Sequence, residues 1–315
     1  MTKRFPAATH PAVDGVSLDV PRGSLVVLLG PSGCGKTTLL KMVNRLYEYD
    51  SGRILVEGKE VRSFEVTDLR RHIGYVIQST GLFPHMTVAK NIATVPDMLG
   101  WNKHKIDERT DMLLDMVGLA PSEYRSRYPM QLSGGQQQRV GLARALAADP
   151  SIMLMDEPFA AIDNITRRRL QDELLDIQGK VSKTILFVTH DVEEAIRLAD
   201  KIAVIRQGKV VQYDTPLNIL SNPADEFVAD LTGARDVLRR LSLLTVDTVV
   251  GNIQPQTHAT NGPVLPPGSS LREALGLLLS SRAEYITIAD GQGKVHGVVN
   301  MDTIRRATMS GGQTR

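Results

Sequence analysis

The residues best equipped for chemistry lie in Gly30-Pro31-Ser32-Gly33-Cys34-Gly35-Lys36-Thr37-Thr38. The run satisfies G-x-x-x-x-G-K-[ST]; it follows the apolar segment Leu25 to Leu29 and opens a stretch with Leu39, Val43 and Leu46 at helical spacing. Gly30, Gly33 and Gly35 let the backbone fold closely enough for N–H groups along Ser32 to Thr38 and a helix N-terminus to face a phosphate. Lys36 adds a full positive charge, and Thr37 is placed to ligate Mg²⁺. A glycine turn that merely reverses the chain would not require the Lys-Thr pair. Cys34 is read as a small filler within this cradle rather than as a nucleophile.

A second group is Ile152-Met153-Leu154-Met155-Asp156-Glu157, an apolar run ending in adjacent carboxylates. Side chains alternate along a strand, so two acids at its end can serve different tasks. Beside a phosphate loop, Asp156 is the candidate for the metal and Glu157 the candidate base for an attacking water. These features define an Mg²⁺-dependent nucleoside triphosphatase and leave open what the released energy drives.

Parallel strands covered by helices on both faces tolerate continuous apolar runs, which is how Leu25 to Leu29, Ile152 to Met155 and Thr184 to Val188 read. Val16, Leu18 and Val20 alternate with polar residues and predict a half-exposed strand. Residues 81 to 149 carry helical spacing without strand patterning, so a helical insertion in an α/β core is expected. Arg206-Gln207-Gly208-Lys209 predicts a hairpin turn. The polar, proline-broken stretch from Asn252 to Ser270 predicts a linker. Beyond it, Leu271 to Leu279, Tyr285 to Ile288, Val295 to Val299 and the surroundings of Ile304 predict a small α+β unit.

The 315 residues are 42% hydrophobic, enough for substantial cores. A formal charge of +2 provides no overall basic field for nucleic acid. The lone cysteine excludes an internal disulfide and any zinc site needing two cysteines. The apolar runs fall far short of the roughly 20 residues that cross a bilayer, and the start lacks a secretory apolar core. Work at a membrane would therefore require another chain.

Leu132-Ser133-Gly134-Gly135-Gln136-Gln137-Gln138-Arg139 precedes a helical pattern and stands shortly before the Asp-Glu strand. In that order the motifs of residues 3 to about 232 resemble those of the ATP-binding-cassette (ABC) ATPases. A Ser-Gly-Gly turn at a helix N-terminus is a second anion cradle. In the family it meets the first cradle across a head-to-tail dimer, so Ser133, Gly134, Gly135 and Gln136 of one copy cap ATP held by the other. The resemblance further implies that Gln78 senses Mg²⁺ and the water, that Asp163 crosses the dimer, and that His190 contacts the γ-phosphate. It aligns Phe5 with the aromatic that stacks on adenine, although a lone phenylalanine there also suits a core. The chain starts almost at Lys3-Arg4-Phe5, so the first strand of the antiparallel subdomain is expected to be missing or nearly so.

The fold implied is a P-loop α/β core with an antiparallel β subdomain and a helical insertion, spanning 1–235. A linker or degenerate half-motif at 236–270 and a CBS-like (cystathionine-β-synthase-type) unit at 271–315 complete it. Lys41 to Leu46, Gln78 to His85 and Asn91 to Pro96 resemble ATPases of importers for glycine betaine, choline, carnitine or proline. That resemblance implies a peripheral protein on the cytoplasmic face of the cell membrane. Its partners would be an integral permease, directly, and a solute-binding protein, indirectly. Leu82 and Phe83 then suit docking to the permease, or ordinary core packing. The C-terminal unit suits either sensing or dimerisation, and the tail Ser310-Gly311-Gly312-Gln313 is a chance repeat of the Ser133 tetrapeptide. The competing possibility is a soluble cassette ATPase outside transport, for which a second cassette or a long coiled-coil insertion would be expected.

Overall fold

Five consecutive apolar residues leave no polar face for water, and β1 (Leu25–Leu29) is buried along its whole length. The structure, a computed structural model, describes residues 1–6, 8–77, 81–160, 162–181, 183–250 and 262–309. After β1 come α1 (Lys36–Val43), the two-residue strands β2 (Leu55–Val56) and β3 (Lys59–Glu60), α2 (Val66–His72) and β4 (Ile73–Val76). The helices α3 (Val88–Met98), α4 (Lys103–Met116), α5 (Pro121–Tyr124) and α6 (Gly134–Leu146) follow. Then β5 (Ile152–Asp156), α7 (Asn164–Val181), β6 (Thr184–Thr189), α8 (Val192–Leu198), β7 (Lys201–Arg206) and β8 (Lys209–Asp214) complete the sheet.

The strand order is β4-β5-β6-β1-β7-β8, and the pairs from β4 across to β7 are parallel. Asp156 pairs with Val188 and Val188 with Leu28, so the carboxyl ends of β5, β6 and β1 finish level. That register decides where chemistry can occur, because loops leaving the three strands start side by side. Gln207 (φ 49°) and Gly208 (φ 77°) form the expected two-residue hairpin connection into β8. Val26, Leu28, Leu40, Met42, Leu154, Leu186 and Val188 share one core.

Between residues 81 and 149 no described residue is in a strand, as the spacing predicts. Thr87, Asn102 and Ser133 cap α3, α4 and α6 through their side chains. Ile92, Leu113, Leu114 and Val140 are fully buried where these three helices pack together. No helix among the described residues is long and apolar enough to cross a membrane.

Two local expectations are corrected. Residues 16–20 do not form a strand: the antiparallel part consists of the short β2–β3 ladder and isolated bridges Thr2–Ser51 and Lys3–Val13. Val16, Leu18 and Val20 nevertheless pack on the core, so alternation reports burial of one face without requiring a ladder partner. Leu46 lies beyond α1, which ends at Val43; Arg45 takes φ 48°, and Leu46 is left 42% exposed.

The chain divides into two compact units, Met1–Tyr213 and Asp214–Arg315. The second begins with α9 (Pro216–Ser221), α10 (Glu226–Thr232), α11 (Val237–Leu243) and α12 (Asp247–Val250). It continues with β9 (Val264–Leu265), α13 (Leu271–Ser281), β10 (Tyr285–Ala289), β11 (Val295–Asn300) and α14 (Met301–Met309). The expected boundary at 235 falls inside this unit, because α9 packs on both α10 and α11. Within the stretch expected to be a linker or a degenerate half-motif, α11 and α12 bury Leu241 and Val250 in one core with Leu278, Ile286, Ile288 and Ile304. Residues 251–261, and the Ser310 to Gln313 tail, lie outside the described residues. The small sheet runs β11-β10-β9, with β9 parallel and β11 antiparallel to β10.

Leu28 is fully buried on β1, between Val188 of β6 and Ala203 of β7. Leu28→Ala is expected to cost about 2–5 kcal/mol, read as a lowered urea midpoint for loss of the hydrogen-exchange protection of β1 and β6.

Candidate nucleotide-binding and hydrolytic site

The phosphate loop is shaped by two backbones pressed against it. A Cβ on Gly30 would lie 2.3 Å from the carbonyl oxygen of Ile205, and one on Gly35 would lie 2.1 Å from that of Ala12. Gly35 also has φ 108°, where a side chain is strained whatever the space. As the residue before α1, Gly35 provides no capping side chain, whereas α3 and α8 are capped by Thr87 and Asp191. The first N–H groups of Lys36, Thr37 and Thr38 thus end in a turn suited to an anion. Lys36 is 5% exposed, and its ammonium donates to the carbonyls of Gly30 (2.7 Å) and Pro31 (2.9 Å) across the same loop. Ser32 and Gly33 form the exposed rim. Cys34 is buried with Sγ 3.8 Å from Lys36 Nζ, in the filler position expected of it.

At the end of β5 the two acids diverge. Asp156 is 4% exposed and accepts a hydrogen bond from Thr37 Oγ1 at 2.8 Å. Burial raises its pKa above the ordinary carboxylate value, while the Thr37 hydroxyl pulls the other way. A hydroxyl and a carboxylate oxygen at this separation are hard donors of the kind Mg²⁺ takes. Glu157 leaves the strand with φ 47°, an uncommon conformation for a non-glycine residue, and its N–H donates to Val188 O at 3.0 Å. Its Oε1 lies 3.1 Å from Nδ1 of His190, which is the more exposed partner. The level strand ends therefore bring Lys36, Thr37, Asp156, Glu157 and His190 together.

The remaining candidates make their contacts elsewhere. Ser133 and Gln136 form a reciprocal cap on α6: Ser133 Oγ accepts from Gln136 N–H at 3.3 Å, and Gln136 Oε1 accepts from Ser133 N–H at 2.9 Å. Accepting in this way leaves the Ser133 hydroxyl proton to be donated outward. A Cβ on Gly134 or Gly135 would meet nothing within 4 Å. Asp163 is exposed and caps α7, accepting from the N–H groups of Ile165 (3.2 Å) and Thr166 (3.0 Å), which hold its pKa below the usual range. Half-buried Phe5 stands edge-on to Tyr47, ring centres 5.4 Å apart, with Lys3 Nζ 5.6 Å from its centroid. Gln78 lies outside the described residues.

Sequence reasoning missed the backbones of Ala12 and Ile205, which dictate two of the glycines, and Tyr47 beside Phe5. It also missed Asp191 behind His190. A signal existed for the last: Asp191, followed by the acids Glu193 and Glu194, is a helix-start pattern.

A parallel sheet that places a Gly-Lys-Thr loop, an Asp-Glu strand end and a histidine side by side defines a P-loop nucleoside triphosphatase. The profile of the ABC transporter family matches residues 13–160. The chain is 48% identical over 297 residues to the osmoprotectant import ATP-binding protein OsmV of Salmonella typhimurium, covering 94% of this chain and 76% of that protein. It is 46% identical to the glycine betaine uptake system ATP-binding protein YehX of Escherichia coli, covering 93% and 94% respectively. Among solved structures it resembles the dimeric post-hydrolysis ATP-binding cassette MJ0796 bound to ADP and Pi, with a TM-score of 0.64 at 30% identity over 68% of this chain and 96% of that one. The chain belongs to the ABC transporter family.

A carboxylate whose pKa rises on folding keeps its proton at pH values where the unfolded chain has lost it. It therefore opposes folding increasingly as pH rises through that interval, and the opposition is relieved on acidification. Asp156→Asn is expected to raise the thermal midpoint of the nucleotide-free chain at pH 7–8, with a smaller gain near pH 4. It should also abolish the further stabilisation by Mg²⁺ with nucleotide, measured by scanning calorimetry.

Proposed function

We propose that this chain is the ATP-hydrolysing subunit of an importer for quaternary-ammonium osmoprotectants of the glycine betaine, choline and carnitine class. The observation that carries the hydrolytic part is the Glu157–His190 contact of 3.1 Å beside the Thr37–Asp156 bond of 2.8 Å. The solute class rests on relatives named for osmoprotectant import and glycine betaine uptake.

ATP binds with its β- and γ-phosphates on the Gly30 to Thr38 loop and Lys36, and Phe5 stacks on adenine. Thr37 and Asp156, with Gln78, hold Mg²⁺, which when bound offsets charge on the phosphate oxygens. Glu157 Oε1 orients a water and takes its proton as the water oxygen bonds to the γ-phosphorus. The bond from that phosphorus to the β–γ bridging oxygen breaks, giving ADP and phosphate. His190 holds the Glu157 carboxylate and reaches the γ-phosphate.

The Ser133-Gly134-Gly135-Gln136 turn completes the site of a second copy in a head-to-tail dimer. Open space at both glycines supports this: nothing among the described residues calls for glycine there, whereas a close approach from outside does. Asp163 faces the same partner. ATP thereby favours the closed pair, and hydrolysis releases it.

The permease receives this motion at residues 81–87. Phe83 is 39% exposed, with the Arg144 guanidinium 5.8 Å from its ring centre, an arrangement that favours docking over core packing. Asn91, fully buried, fastens the loop through the N–H and carbonyl of Phe83 and the carbonyls of Met86 and Thr87. The ATPase is then peripheral on the cytoplasmic face of the membrane, and a separate solute-binding protein and the permease choose the cargo. The β9–α13–β10–β11–α14 unit is a single CBS-like half whose role is dimerisation or sensing.

Glu157→Gln is expected to slow steady-state hydrolysis by about 10²–10⁴-fold with ATP affinity retained, because the base is removed and the phosphate cradle kept. Turnover at the wild-type rate would reject that role. Replacing half-buried Leu82 and exposed Phe83 by serine should weaken co-purification with the permease while basal ATPase activity stays within about twofold of wild type. Unchanged complex formation would remove the docking assignment.

A further inference from the structure

Behind His190 lies a connected set of charged groups that the phosphate chemistry leaves unused. Arg167, in the first turns of α7, donates through Nη2 to the carbonyl of Ile162 at 3.0 Å and places Nη1 3.4 Å from Asp191 Oδ2. Its Nε, buried without a hydrogen bond, lies 3.8 Å from Oε1 of Glu194. Glu194 is 5% exposed; its other oxygen accepts from Thr189 Oγ1 at 2.7 Å. Asp191 is fixed in turn. Its Oδ1 accepts from the N–H groups of Glu193 (2.8 Å) and Glu194 (3.3 Å), and its own N–H donates to Thr189 Oγ1 at 3.0 Å.

The residues on both sides of His190, Thr189 and Asp191, are thus held by one network. A single side chain of that network, Arg167, reaches the segment next to Asp163. That segment is directed outward: Asp163 and Asn164 are exposed, and Ile165 is an apolar side chain left 85% exposed. On the other side, His190 Nδ1 lies 3.1 Å from Glu157 Oε1.

We propose that Arg167 is a positioning residue that ties the carbonyl of buried Ile162, at the base of the exposed Asp163–Ile165 segment, to His190, and through His190 to Glu157. A second copy of this chain seated on Asp163 and Ile165 would thereby set the geometry of the hydrolytic pair. The inference deepens the paired-chain reading and rests on it. Arginine suits the position because its planar fork donates in two directions at once, to the Ile162 carbonyl and the Asp191 carboxylate, with its charge beside a second carboxylate, Glu194; a lysine ammonium does not span all three. The Arg167–Asp191 pair is partly exposed and contributes little to stability, whereas Glu194 is buried beside Arg167 Nε, so the thermal midpoint of each Arg167 variant is measured beside its turnover.

The test measures ATP hydrolysis by the full-length protein as a function of ATP concentration. Arg167→Met is expected to lower kcat about 10–100-fold while the KM for ATP stays within about threefold, with Arg167→Lys intermediate. Asp191→Asn, which keeps an N-cap, should also lower kcat. The double variant should be no slower than the slower single one, since both changes cut one connection. In a Glu157→Gln background, ATP-induced pairing should survive Arg167→Met.

Wild-type kcat, multiplying losses in the double variant, or an effect confined to KM would overturn the proposal. Loss of pairing would do the same by making Arg167 an interface residue. Should Arg167→Met fail to fold, Arg167→Lys and Asp191→Asn carry the same comparison. If Glu157→Gln itself turns over at the wild-type rate, the hydrolytic assignment fails whatever Arg167 does, so the two failures are distinguishable.

Discussion

The hydrogen bond from Thr37 to Asp156 is the interaction on which the site depends, because it joins the first turn of α1 to the end of β5 across the strand β6 that lies between β1 and β5. Parallel pairing in register makes it possible: Asp156, Val188 and Leu28 stand level, so loops leaving the three strands converge. The bond holds a carboxylate where burial disfavours its charge. Keeping an acid in a place that raises its pKa opposes stability, and such an arrangement persists where a cation is to be bound. Glu157, one residue further on, combines positive φ with partial burial and the company of His190. The adjacent acids therefore occupy unlike environments, as the proposed division of metal and proton tasks requires.

The glycines separate what the chain demands of itself from what it offers to something else. Gly30 and Gly35 are required from within, by the carbonyls of Ile205 and Ala12. Gly134 and Gly135 meet no such neighbour among the described residues, and neither takes a positive φ. Ser133 points the same way, since its oxygen is engaged as a cap acceptor while its proton is left to donate. The proposed phosphate of a second copy would use both the open space at the glycines and the Ser133 hydroxyl proton.

Much of the core was legible because its signals are strong and local. A continuous apolar run such as Leu25 to Leu29 admits few placements, and the Lys36-Thr37 and Asp156-Glu157 pairs are tied to strand ends by their motifs. Signals of half-burial were weaker. The alternation at Val16, Leu18 and Val20 announced a face packed on the core, which an irregular segment also satisfies. The helices α11 and α12 were hidden because they are short and their buried residues, Leu241 and Val250, pack mainly on segments later in the chain. Arg167 carried no motif that sequence reading could use. Its significance comes from three partners that folding brings together from the Ile162 loop and the start of α8.

The most direct measurement of the central claim, that each phosphate is held by two copies, mixes two inactive full-length proteins. One carries Lys36→Ala and lacks a working phosphate loop; the other carries Gly135→Asp and lacks a working second cradle. If sites are shared between copies, a mixed pair contains one intact site, and the mixture should hydrolyse ATP although neither protein does so alone. A mixture as inert as its components, with mixed pairs demonstrated by differential tagging, would contradict a site built from two chains.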